Sequence, residues 1–419
     1  MKYLFLYLIF LISNTLFAQA DKTLDKEQLY HRIDSIMHLS LDSTVFPGAV
    51  VLVQQHGEVI LERAYGFHTY DKKRPVQTDD IYDLASVTKT TAALPALMKL
   101  HGEGKFDLDA PLQRYFPSFK RSNKGNFTFR EMLAHQARLK PHIGHWQRAQ
   151  RKNGKYKWFT FKRDSSQRYP IRILDDLWLH RNYQRKMMKA IRQSDLLEKA
   201  EYRYSGLLFY LLPQIVERIT GEDFVTYLNR EFYEPLNAKT LTFNPLQKFP
   251  KERIIPTEED IWWRKTLVHG TVHDEGAAMM GGVSSNAGLF SNAADLAKLL
   301  QLYLNGGEYE GKRYIKKESI AEFTKCAFCE SGNRRGLGFD KPLIEYNAAQ
   351  SYVAESASSE SYGHSGFTGT FYWLDPAQDL IFILLSNRVY PTRENRKLYS
   401  LNIRPQLHQA VYDALINKL

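Results

Sequence analysis

Apolar residues recur with helical spacing from Lys26 to Leu39, where Leu29, Ile33, Ile36 and Met37 share one face. The pattern then changes to a β-rich run, Pro47–Val53, followed by "QQHGEVILERAYG". Two strands meeting at His56-Gly57 are predicted, so 49–64 reads as a hairpin. "DLASVTKTTAALPALMKL", Asp83–Leu100, predicts one apolar helix in which Pro95 costs a hydrogen bond and introduces a kink. "GKFDLDAPLQRYFP" predicts a loop and a short helix. From about 128 to 304 helical segments are separated by long polar loops. The clearest are Phe209–Thr220 and Glu222–Tyr233, with Gly221 as the stop between them, and Ala293–Leu304. After Gly363, "GTFYWLDPAQDLIFILLSN" predicts strand, Asp-Pro turn, strand, and Pro405–Leu419 is predicted helical. Strands near both ends with helices between them predict an α/β (α+β) sandwich with a mostly helical part inserted in its middle.

Composition changes this picture at three places. The chain has 419 residues, 43% of them hydrophobic, ample for a large core. Its first twenty, "MKYLFLYLIFLISNTLFAQA", combine Lys2, an apolar core from Tyr3 to Ile12, and Ala18 and Ala20 in an A-x-A pattern. That layout predicts a signal peptide over 1–20 and export to the periplasm, with an uncleaved anchor as the alternative. The apolar core is too short to span a bilayer comfortably, and no cysteine follows it to carry a lipid. The two cysteines, Cys326 and Cys329, sit in a loop-like "KCAFCESGN" and read as a local staple.

The formal charge of +11 is uneven. Between Arg148 and Arg168 eight Lys/Arg residues interleave with Tyr156, Trp158, Phe159 and Phe161. A single-strand nucleic-acid groove uses such a mixture. On an exported protein the available partners are anionic cell-envelope groups, so nucleic acid is not expected and envelope association is.

The candidate chemistry lies in "ASVTKTTAAL". Ser86 stands at a helix start and Lys89 one turn on, on the same face. A hydroxyl with a base beside it is a route to a nucleophilic serine. Two further tripeptides supply what acyl transfer also needs. Tyr204-Ser205-Gly206 precedes a helix and can bring a phenol to the serine. His364-Ser365-Gly366, followed by Phe367, offers a cation or donor on an edge strand, and the N–H groups of Phe367 and Ser86 form a candidate oxyanion hole. His269 and His273, four apart beside Asp274, lack the glutamate that a zincin helix needs, so no metal or organic cofactor is called for. His135, His142 and His145 read equally as packing or site residues.

These three motifs, in this order, resemble the serine β-lactamase and penicillin-binding protein superfamily. The likeness is to class C-related hydrolases of the cell-wall type and covers nearly all of 21–419. It includes "FPGAVVLVQQHGEVILERAYG", "EFYEPLNAKTLTFNP", "VHGTVHDEGAAMMGGVSSNAGLFS" and "GHSGFTGTFYWLDP". It implies the β-lactamase/DD-peptidase fold, an antiparallel sheet flanked by helices. The α/β part would be about 25–105 and 285–419, and the helical part about 106–284. It implies Ser86 as the acylated nucleophile, Lys89 as its proton relay and Tyr204 as the group that activates the deacylating water. His364, Ser365, Gly366, Phe367 and position 206 would bind the substrate, a peptidoglycan-type D-amino-acid peptide or a β-lactam. Gly206 departs from the family's usual Asn or Asp, and "SSNAG" (Ser284–Gly288) departs from its Gly-His pair. Gly206 keeps two alternatives open, an esterase of the same fold and a catalytically weak cell-wall-binding homologue.

Overall fold

Five strands build the central sheet of the computed structural model, which describes residues 22–417. They are β1 (Gly48–Gln55), β2 (Glu58–Gly66), β3 (Tyr362–Ser365), β4 (Phe371–Asp375) and β5 (Leu380–Ser386). Their order is β3-β4-β5-β1-β2, antiparallel throughout. The predicted hairpin turns at His56 and Gly57, with φ of 52° and 78°. A two-residue turn of that hand matches the twist of the strands it joins. Every residue of β1 and β5 is buried. Ala49, Val51, Val53, Phe382 and Leu384 point into one core and Val50, Leu52, Ile381, Ile383 and Leu385 into another. A sheet covered on both faces needs apolar residues at every position, which is why "LIFILLS" shows no alternation.

One face is covered by α1 (Lys26–Asp42) and the C-terminal helix Ile403–Asp413. Asp25 caps α1, its Oδ1 accepting from the Gln28 N–H at 3.1 Å. The predicted C-terminal helix stops short of its expected end. After Asp413 the chain becomes a strand, Leu415–Asn417, paired antiparallel with Lys22–Leu24. The Asp25 N–H donates to Ala414 O at 2.8 Å, so the two ends of the described chain are tied to each other, and Gln55 Nε2 of β1 donates to Lys22 O at 3.1 Å. The stretch 1–20 lies outside the described residues.

The predicted helix over Asp83–Leu100 is three pieces: a tight turn Ala85–Val87, a wide turn Lys89–Ala93, and α2 (Leu94–Gly102). Pro95 is the second residue of α2 and has no N–H to give to the preceding turn. Two tyrosines from other segments serve the carbonyls of that turn. Tyr233 OH donates to Thr91 O and Tyr303 OH to Thr90 O, both at 2.8 Å. Tyr303 belongs to α3 (Ala293–Leu304), whose bounds match the predicted helix. Gly221, at φ 74°, ends Leu212–Thr220 as expected.

The basic segment 148–168 opens a folded insertion with its own core. It forms a three-stranded sheet with Leu177–Leu179 between Phe161–Lys162 and Ile171–Leu174. Ile173, Leu177 and Leu179 pack on Trp263, Met187 and Ile191 in a third core. The alternation in "IRILDDLWL" carries this signal, with Asp175-Asp176 at the turn. Cys326 and Cys329 are disulfide-bonded. No helix among the described residues is long and apolar enough to cross a membrane.

The tyrosine contacts behind α2 make a checkable claim. Tyr233→Phe leaves the buried Thr91 carbonyl without its donor and should lower stability by about 1–3 kcal/mol. Urea unfolding should show a lower midpoint at unchanged slope, and an unshifted midpoint would show that Pro95 needs no such compensation.

Candidate active site

Ala85 adopts φ 45°, a left-handed conformation that costs a residue with a Cβ about 1–3 kcal/mol. The turn it makes sets Ser86 at the mouth of a cavity and sends Lys89 into the interior. The strain is held by bonds from three directions. Asp83 accepts the Ala85 N–H on Oδ1 at 2.8 Å and the His273 N–H on Oδ2 at 2.6 Å. Thr368 Oγ1 donates to Asp83 O at 2.8 Å and Thr370 Oγ1 to Leu84 O at 2.9 Å, stapling the turn to the β3–β4 loop. Gly366 lies so close that a Cβ there would meet Leu84 O at 2.6 Å and the Ala85 Cβ at 3.2 Å. Only glycine lets that backbone approach.

Lys89 is 2% exposed. Its Nζ donates to Ser86 Oγ at 2.9 Å and to Asn286 O at 2.7 Å. The rings of Tyr204 and Phe209 lie over it at 5.4 and 5.3 Å. Tyr204 in turn packs against His364, ring centroids 6.1 Å apart, and against His135 at 4.6 Å. The structure therefore gathers Ser86, Lys89, Tyr204, His364, Ser365, Gly366 and Phe367 around one point, with Gly206 facing the same region. Gly206 is not in the left-handed region, and a Cβ on it would meet only the Asn286 Cβ at 4.0 Å.

His364 differs from the cation or donor expected of it. Its Nδ1 donates to Ser365 O at 2.9 Å, which leaves Nε2 a bare acceptor, buried and without a partner among the described residues. Burial pushes its pKa down to about 3, and the nearby Arg335 and Lys89 charges push the same way. At neutral pH it carries no charge.

Several residues around the site were missed or left without a role in the sequence. Asn286, noticed only as a departure, supplies the carbonyl that holds Lys89. Its amide donates to Asp274 Oδ1 at 3.1 Å and Tyr210 OH at 3.3 Å. His135 accepts the Ser205 N–H on Nδ1 at 3.1 Å and so positions the second motif. Burial, with the Arg335 charge, holds it neutral. Arg335, paired with Asp340 at 3.1 Å, stacks over Tyr204 at 5.6 Å. No local pattern in "GNRRGLGF" announces it.

The cavity at Ser86 measures about 430 Å³. Its walls are the segment 142–147, with Tyr210, His273, Asp274, Phe367 and Arg393. His142 and His145 thus line it, whereas His269 and His273 do not form a pair. His269 Nε2 meets Ile254 O at 2.6 Å, and His273 Nε2 meets Glu258 at 2.8 Å. Against a burial that would raise it, Glu258 is held at about 2 by His273 and Arg393. The Phe367 ring stacks on His273 at 5.8 Å, forming an apolar wall beside the nucleophile.

The family model described as Beta-lactamase matches residues 31–403. The chain belongs to this family. It is 34% identical over 374 residues to the N-acetylmuramyl-L-alanine amidase of Bacillus subtilis, covering 82% of this chain and 77% of that one. A Salmonella typhimurium protein provisionally named D-alanyl-D-alanine carboxypeptidase is 29% identical over 409 residues, 91% of this chain and 88% of that one. Among solved structures, EstCE1, a hydrolase with promiscuous acyltransferase activity, superposes with a TM-score of 0.64. At 18% identity, over 91% of this chain and 99% of that one, this likeness shows the fold. The chain is thus a serine hydrolase with the β-lactamase/penicillin-binding protein fold expected from its motifs.

The neutral histidines set a pH dependence. A pKa of about 3 for His364 and about 4 for His145, where burial is the leading cause, lies below that of an unfolded histidine, about 6.5. The unfolded chain binds the extra protons, so the stability these groups contribute is complete above about pH 6.5 and lost as pH falls towards their folded values. His364→Asn should flatten the stability–pH curve between pH 4 and 6 by about one proton, about 1.4 kcal/mol per pH unit. Urea unfolding across that range measures it, and an unchanged slope would mean that His364 is charged in the folded protein.

Proposed function

We propose that the protein is an exported hydrolase that forms an acyl-enzyme on Ser86 and acts on peptidoglycan-type D-amino-acid peptides. The observation that carries this reading is the buried Lys89 Nζ 2.9 Å from Ser86 Oγ at the edge of the cavity. Ser86 Oγ attacks the substrate carbonyl carbon as its proton passes to the neutral amine form of Lys89. The oxyanion is held by the Ser86 and Phe367 N–H groups. Collapse expels the leaving group, which takes a proton from Lys89. Water then attacks the acyl carbon, its proton passing by way of Tyr204 to Ser86 Oγ, which leaves as the restored hydroxyl while the acid product departs. The name of the Salmonella relative supports the D-amino-acid class, and that of the Bacillus relative supports peptidoglycan more broadly. The signal-peptide pattern of 1–20 supports export.

One observation favours a second reading, an esterase. A carboxypeptidase must hold a terminal carboxylate, and His364 offers that group an uncharged ring with a lone pair rather than a cation. Nε2 has no proton to donate to a carboxylate, a donor that an ester substrate does not need there.

Three experiments test these readings. Intact mass spectrometry after incubation with penicillin should show one adduct on the wild type and none on Ser86→Ala. The same spectrum reports whether 1–20 has been removed. Ser86→Ala should lower turnover of a p-nitrophenyl ester by roughly 10⁴- to 10⁶-fold with an unchanged unfolding midpoint, and retained turnover would refute the nucleophile. Gly206→Asn has room to be accommodated and restores an amide beside Asn286. It should raise the acylation rate of an amide-containing substrate severalfold and leave simple esters little changed, since each added hydrogen bond is worth about 1 kcal/mol. An equal fall for both would show that the glycine is required by packing.

A further inference from the structure

Two turns on the outside of the helical part expose large apolar side chains that the active site does not use. Trp158 is 73% exposed, Phe159 75%, Ile261 68% and Trp262 52%. Phe159 also holds φ 60°, an unfavourable conformation for a bulky residue, with no burial of its ring in return. The two turns lie side by side on a firm base. Tyr156 OH donates to Trp263 O at 2.8 Å, Gln150 Nε2 to Trp262 O at 3.4 Å, and the Phe161 and Trp263 rings pack at 6.1 Å. Beneath them Trp263 is buried, and Arg264, paired with Asp260 at 2.8 Å, donates to Val272 O and His273 O.

Cations surround the Trp158–Phe159 turn. From Arg151 to Arg163 the chain carries six Lys/Arg and no acid, all six exposed. Arg151 stacks on Trp158 at 5.0 Å, which keeps the indole outward. Between the two turns lies a cleft of about 840 Å³ into which Lys155, Arg163, Arg172, Lys251 and Lys265 face. Its two acids, Asp175 and Asp176, are each engaged by an arginine, Arg172 and Arg163.

We propose that this face docks the protein on a bilayer containing anionic phospholipid, with Trp158, Phe159, Ile261 and Trp262 entering the headgroup–acyl boundary and the surrounding cations binding lipid phosphates. Indole and phenyl rings beside lysine and arginine are the side chains that settle at that boundary. An exposed apolar patch rimmed by charge is otherwise a liability to a soluble protein. A glycan strand is a poorer fit, because Ile261 and Phe159 have nothing to donate to or accept from sugar hydroxyls. A single-stranded nucleic acid would stack on the rings but not on Ile261. Docking would also orient the site, because His273, held by Arg264, and the segment 142–147, which runs into the insertion, both wall the Ser86 cavity.

The test is sedimentation of the purified full chain with phosphatidylcholine vesicles with and without phosphatidylglycerol. The wild type should bind the anionic vesicles and leave the neutral ones, and high salt should weaken binding roughly tenfold or more. The triple variant Trp158→Ser, Phe159→Ser, Ile261→Ser should lose binding roughly tenfold or more while keeping its unfolding midpoint and its ester turnover in solution. Lys155→Glu with Lys157→Glu should lose it to a similar extent. Equal binding by wild type and both variants would overturn the proposal and assign attachment to another segment, residues 1–20 included. Failure of the wild type to bind, or binding to isolated cell-wall glycan or single-stranded DNA but not to vesicles, would overturn it too.

Discussion

A lysine ammonium buried to 2% exposure is the constraint on which the rest of this site depends. Removing such a charge from water costs several kcal/mol unless other groups replace its hydration. Here the replacements are Ser86 Oγ, the Asn286 carbonyl and two aromatic faces, with no carboxylate paired to Lys89 among the described residues. A carboxylate in contact would hold the proton on the lysine. Neutral oxygens and rings hold it in place beside the serine hydroxyl. Each partner is delivered by a different part of the chain, so the site exists only when the sheet, the Tyr204 segment and the Asn286 loop are all in place.

The strained turn at Ala85 follows from the same requirement. A nucleophile at a cavity mouth and a lysine in the core, three residues apart, need a tight turn followed by a widened one. The widened turn leaves carbonyls that Pro95 cannot serve, and Tyr233 and Tyr303 reach in to serve them. The glycine at 366 then lets an edge strand touch the turn without a side chain between. Strain, compensation and close approach form one connected arrangement.

Electrostatics separate this site from the expectation set by its motifs. Two histidines, His364 and His135, flank Tyr204 and both are kept uncharged by burial beside Arg335 and Lys89. Adding a third and fourth positive charge to that cluster would be costly, so the imidazoles serve as neutral acceptors and shape. The arginine that accompanies Tyr204 is paired with Asp340, a carboxylate that Arg334 shares. Recognition of a charged substrate terminus must therefore come from elsewhere on the cavity wall, where Arg393 is already shared between Glu258 and Glu275.

Much of this molecule was legible along the chain. The hairpin at His56-Gly57, α1, α3, the closing strands and the Ser86–Lys89 pair depend on neighbours within a few residues, and local spacing encodes such neighbours. The three motifs also named the residues that converge, because each is a short contiguous segment. What the sequence could not show was set by contacts between segments distant along the chain. The breaking of the 83–100 helix depends on hydroxyls from positions 233 and 303. The charge of His364 depends on how deeply the fold buries it and on an arginine 29 positions earlier in the chain. The role of Asn286 is carried by its backbone carbonyl, and a carbonyl is the same in every residue, so no side-chain pattern can mark it. Helix and strand periods are local properties of the backbone. Burial, field and backbone partnership belong to the assembled tertiary structure, and these decided what the site is.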